Sequence, residues 1–220
     1  MTTLTVERPR RANGHVPPPP PPPTGGGDPD REPGPRRPLI DNLRLAMLFL
    51  ICGEIMFFGA LVSAFLVLKV TAVQWPPPLQ PRLPVLVTGV NTLVLLASSV
   101  AMAGAGRALA RRDARMLVQR LVLAGALGAA FLVVQGYEWI RLVGYGLTVG
   151  SGAYGTTFYT VIGTHAAHVA AAVVWVAITA WLAARGRFLN GPASGLRACA
   201  IYWHFVVALW PILYVAVYLV

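Results

Sequence analysis

Few side chains in this 220-residue sequence could do chemistry away from water, and most of them are spaced in pairs. Glu54 is the one charged residue inside the apolar run 45–68. Gln135 and Glu138 are three apart, as are His165 and His168, so each pair would share one face of a helix. His204 sits in the last apolar run, whereas His15 belongs to a polar N-terminal tail. Ionisable groups at such depth are costly and point to a partner, a wet cavity or a functional site. Three histidines could hold a copper or iron ion; histidines that simply satisfy neighbouring helices are the competing reading. Glu54 has two readings as well, a protonatable group or counter-charge, and a neutral hydrogen-bonded carboxyl joining two helices, with His204 and His168 as candidate partners at its depth. Cys52 and Cys199 lie far apart with no Cys-x-x-Cys neighbour, and read as packed thiols. No phosphate-binding glycine loop and no haem-attachment motif is present, so neither a catalytic residue nor a metal site is assigned to this chain.

The elements that must position these groups follow from composition. The chain is 56% hydrophobic and only 12% charged, which places it in the membrane class. Five apolar runs predict an all-α, polytopic membrane domain over 39–220, with helices at about 45–68, 85–109, 116–140, 154–184 and 198–219. Pro76–Pro78, Pro81 and Pro84 break the chain between the first two spans, a Gly-rich loop runs from Arg141 to Ala153, and Gly186 and Gly191-Pro192 punctuate the last turn. Residues 1–38 contain seven consecutive prolines, Pro17 to Pro23, then three glycines and mixed charges. Such a segment cannot form a packed core and is expected to be a disordered tail with polyproline II character.

A net charge of +10 might suggest nucleic acid, but its distribution fits a membrane boundary better. With the N-terminus in the cytoplasm, fifteen of the 18 Lys and Arg residues fall on that side; Lys69, Arg82 and Arg141 fall on the other. Positive charge stays inside, so the N-terminus is expected in the cytoplasm and the C-terminus outside. Trp75, Trp139, Tyr145, Tyr154 and Tyr218 would then form much of an outer aromatic belt. Small residues four apart (Gly59 and Ser63, Ala60 and Ala64, Ala124 and Gly128, Gly163 and Ala167) predict close helix approaches.

The motifs, in order, are Gly53-Glu54-Ile55-Met56-Phe57-Phe58, Asn91-Thr92-Leu93-Val94-Leu95-Leu96-Ala97-Ser98-Ser99, and Gln135 with Glu138-Trp139. Then come Tyr154-Gly155-Thr156-Thr157-Phe158 with Gly163-Thr164-His165-Ala166-Ala167-His168-Val169, and Tyr202-Trp203-His204-Phe205-Val206. Together they resemble subunit III of the haem-copper respiratory oxidases, in its shorter five-helix bacterial form. One departure is Val207, where that family usually carries Asp.

The resemblance implies an accessory subunit, without metal of its own, of a proton-pumping enzyme complex that passes electrons from cytochrome c to O2. Haem and copper would reside in partner subunits. The chain would pack on the catalytic subunit I, near subunit II and small subunits, in a bacterial plasma membrane. It would hold phospholipid in a cleft between helices and support proton uptake. Glu54, Asn91, Gln135, Glu138, His165, His168, Tyr202, Trp203 and His204 would then be structural, lipid-cleft or proton-linked residues. The same motifs would suit the related subunit of a quinol oxidase or nitric oxide reductase. A stand-alone transporter using Glu54 and Glu138 as a proton relay is the alternative of a different class; it predicts an internal repeat, and none is evident.

Overall fold

The computed structural model describes residues 42–77, 81, 83–189 and 191–219; the tail 1–38 lies outside them. The described residues form five helices, α1 (Asn42–Thr71), α2 (Val85–Ala110), α3 (Ala114–Gly144), α4 (Gly152–Ala184) and α5 (Ser194–Tyr214). A π-helical turn, Val215–Leu219, continues α5. All five are long and apolar enough to cross a membrane. Helices are the natural solution, because in hydrocarbon every backbone N–H and C=O must be satisfied within the segment. The helices overrun the expected spans at most of their ends. Arg141, expected in a loop, occupies the last turn of α3, where a cation faces the negative end of the helix dipole.

Three helix ends are built alike. After α3, Leu147 N donates to Leu142 O and Gly146 N to Val143 O, with Gly146 at φ 89°. After α4, Arg187 N donates to Leu182 O and Gly186 N to Ala183 O, with Gly186 at φ 72°. After α2, Asp113 N donates to Ala108 O and Arg112 N to Leu109 O, but here the left-handed position is Arg112, at φ 56°. Glycine takes that conformation freely, whereas a residue with a Cβ pays about 1 kcal/mol. Asp113 then caps the next helix, its carboxylate accepting from Met116 N at 2.9 Å.

α2 packs along α3, α3 along α4, and α5 lies against α1, α2 and α4. α1 rests chiefly on α5 and α4 and is the least buried helix; only Met47, Phe58 and Phe65 are buried along it. Leu48, Phe49, Ile55, Met56 and Val67 leave a broad apolar face open. One of the expected small-residue contacts is tight: Ala124 is fully buried, and a Cβ on Gly128 would stand 2.5 Å from the Trp203 ring. Gly59 has open space around it, so its helix face makes no close approach within this chain.

Two expectations need correcting. Cys52 is exposed rather than packed, because it falls on the open face of α1, while Cys199 is buried. The outer aromatics are not a simple belt. Trp75 packs edge-on to Phe65 at 5.6 Å and to Tyr154 at 5.0 Å, and Tyr154 and Tyr218 are buried. Among the five, Tyr145 is the one classed as exposed, beside Arg141. The rings turn inward because Trp75 and Tyr218 pack onto Tyr154 and Phe158 in the first turns of α4.

Candidate functional site

The polar side chains within the spans mostly join helices rather than face an open pocket. Asn91, on α2, donates from Nδ2 to the Phe131 carbonyl on α3 at 3.0 Å. Thr92, the next residue, donates to Thr88 O and accepts from Trp210 Nε1 of α5 at 2.8 Å. Ser99 Oγ and His204 Nδ1 are 2.6 Å apart, which ties α2 to α5 a second time. Gln135 Nε2 donates to Tyr218 Oη at 3.2 Å and so pins α3 to the π-helical turn. In an apolar setting each such contact matters chiefly because its loss would strand a polar group.

Glu54 is where α1 meets this network. Its Oε2 lies 3.2 Å from Nε2 of His168 on α4, with side-chain exposures of 17% and 23%. The approach is at ion-pair distance but lacks the alignment of a full hydrogen bond. The partner of the other ring nitrogen assigns the protons. His168 Nδ1 is 2.7 Å from the Thr164 carbonyl, which can only accept, so Nδ1 carries hydrogen. The Glu54–His168 contact is the polar link between α1 and α4. Depth alone had left His168 and His204 as partners for Glu54. His168 takes the place, and His204 is occupied by Ser99.

His165, one turn before His168, is fully buried. Its ring stacks on Trp210 at 5.0 Å between centroids, with Phe58 edge-on at 6.2 Å, and neither ring nitrogen has a protein hydrogen-bond partner. Glu138 is 4% exposed, so it is more enclosed than its place near a helix end suggested. The longer α3 explains this, because Arg141 now lies one turn on and reaches Glu138 Oε1 at 3.3 Å. Tyr202 is buried and leans on Trp175 at 5.7 Å. Trp203 is buried under Gly128, its Nε1 without a partner. Among the described residues no three His, Cys, Asp or Glu side chains come together as a metal site. His165 and His168 share the Phe58 ring, whereas His204 lies apart from them on Ser99.

Sequence reasoning picked Asn91, Gln135 and His204 as site residues, but not Ser99 and Tyr218, the partners of His204 and Gln135, nor the Thr92–Trp210 pair. A signal existed for two of these. Thr92 and Ser99 are seven apart on α2, two turns along one helix face, and that face meets α5.

The sequence matches the family described as Cytochrome c oxidase subunit III over residues 36–220. This chain belongs to that family. Its relatives include the proteins named cytochrome c oxidase subunit 3 from Sus scrofa and from the cyanobacterium Synechocystis sp. The first is 32% identical over 183 residues, covering 80% of this chain and 69% of the relative. The second is 32% identical over 174 residues, covering 79% and 73%. A third, from Thermostichus vulcanus, is 32% identical over 176 residues and is covered over 86% of its length. The matched region includes the whole five-helix unit, so every contact between helices described above lies inside the subunit III family's segment.

Proposed function

We propose that this chain is the accessory third subunit of a proton-pumping haem-copper oxidase that carries electrons from cytochrome c to O2. The observation that carries the reading is the family match over residues 36–220. The polar residues support it, since Asn91, Thr92, Gln135 and His204 each hold two elements together. Oxygen reduction belongs to a partner that bears haem and copper, and this chain contributes no catalytic centre. It sits in a bacterial plasma membrane with its N-terminus in the cytoplasm, in keeping with Arg44, Arg107, Arg111, Arg112, Arg115, Arg120, Arg185, Arg187 and Arg197 gathering at one set of helix ends. It packs on subunit I, with subunit II nearby. Phospholipid fills a cleft bordered by the open apolar face of α1. By pairing Glu54 with His168 where α1 meets α4, the chain steadies the helix that borders this cleft and supports proton uptake by the partner.

The test is a mild-detergent pull-down of the full chain, with mass spectrometry and a haem spectrum of the eluate. Recovery of a haem-bearing subunit and a dicopper subunit in fixed proportion is expected. Recovery of the chain alone, with proton transport when it is reconstituted alone, would overturn the proposal.

A further inference from the structure

Resting on that role, we infer that the seam between α2 and α5 is where a transmembrane helix of a partner subunit packs, and that this helix brings a hydrogen-bonding side chain to His204 Nε2. His204 is partly buried, and its Nδ1 is held by Ser99 Oγ at 2.6 Å. A ring anchored through Nδ1 has Nε2 directed away from Ser99. Among the described residues Nε2 makes no hydrogen bond, and it is not enclosed by them as both nitrogens of His165 are. The Ser99 hydroxyl can donate or accept, so Nε2 is an acceptor or a donor according to the tautomer, and in either state it needs a partner.

Depth says that the partner is not lipid. At 1.5 Å per residue His204 lies about 15 Å along α5 from Ser194, and Ser99 about 16 Å from the Ala110 end of α2. Both are near the middle of ~30 Å of hydrocarbon. Acyl chains offer no hydrogen bond, and an imidazole cannot snorkel to the headgroups from there as a long side chain near a helix end does. The surrounding surface suits a helix. On α5, His204, Ala208 and Ile212 follow at four-residue steps; on α2, Leu96 stands three before Ser99 and four before Val100. Leu96, Val100, Ala208 and Ile212 are all exposed. The small Ala208 lets a second backbone come close. On α1, by contrast, Glu54 is spent on His168 within the chain.

The experiment uses the purified complex containing the full chain. A photoreactive phenylalanine analogue at Val100 or Ile212 should cross-link to one partner polypeptide, with a higher yield than at Val133, an exposed position on α3. His204→Leu and Ser99→Ala both break the contact between α2 and α5, but only His204→Leu removes the outward nitrogen. His204→Leu should lower retention of this chain in the complex about threefold, the effect of losing one average polar contact between bilayer helices. Ser99→Ala should lower it clearly less, and His204→Gln should restore most of it. Equal losses in His204→Leu and Ser99→Ala would overturn the inference, since His204 would then act only inside the chain. So would adducts at Val100 and Ile212 that contain lipid alone or a second copy of this chain. The photoreactive variants keep Ser99 and His204, so their readout stands even where His204→Leu fails to fold. Copurification of a haem-bearing subunit is scored first. Its failure overturns the proposed function and this inference together, whereas copurification without adducts at α2 and α5 overturns the inference alone.

Discussion

Replacing Glu54 tests how α1 is held. Two side chains, 3.2 Å apart and at most 23% exposed, form its polar link to α4. Polar contacts between helices in a bilayer contribute about 0.6 kcal/mol on average and reach about 1.7 kcal/mol. Glu54→Gln keeps a donor for His168 Nε2 and should cost less than about 0.5 kcal/mol. Glu54→Leu leaves that nitrogen facing hydrocarbon and should cost about 1–2 kcal/mol. For a helix that buries only Met47, Phe58 and Phe65, this is a large share of its docking energy. A loss of that size lowers the ratio of docked to undocked α1 by about fivefold to thirtyfold. His168→Leu should cost a similar amount, and Glu54→Leu/His168→Leu should recover much of it, because no lone polar group then remains. The assay is retention of this chain in the purified complex, thermal unfolding, oxygen consumption and proton uptake for each variant. The haem spectrum should stay unchanged throughout. Equal stability of wild type and Glu54→Leu would refute the energetic argument. Loss of proton uptake in Glu54→Gln with the chain still bound would refute the structural role and place Glu54 on a proton path.

Two further substitutions probe the interior. Gly155→Ala would drive its Cβ into the Thr148 carbonyl oxygen, a backbone atom that cannot rotate away, so a loss of about 2–3 kcal/mol is expected in thermal unfolding. Trp210→Phe preserves the ring contacts with Phe131 and His165 but removes the donor to Thr92. It should cost about 1 kcal/mol and be non-additive with Thr92→Val in the same measurement.

What the sequence determined by itself was the set of elements and the family. Uninterrupted apolar runs bounded by Pro, Gly and Arg leave no choice but five helices, and the ordered motifs around Glu54, Asn91, Gln135, His165 and His204 are specific enough to name the relatives. Tertiary structure alone decided which way each residue faces. In water, hydrophobic periodicity distinguishes the core from the surface; in a bilayer both sides of a helix are apolar, so that signal fades. The most apolar of the five spans, α1, is accordingly the least buried, and Cys52 on it is exposed although its neighbours are hydrophobic. For the same reason Tyr154 and Tyr218 could be read as a belt when they are interior. Depth along a helix gave Glu54 two candidate partners, and only the rotation of α4 and α5 about their axes gave it His168 and gave His204 to Ser99. Arg112 is the clearest case: one more arginine in a basic stretch, until the backbone fold sets it at a left-handed helix end, where α3 and α4 carry glycine.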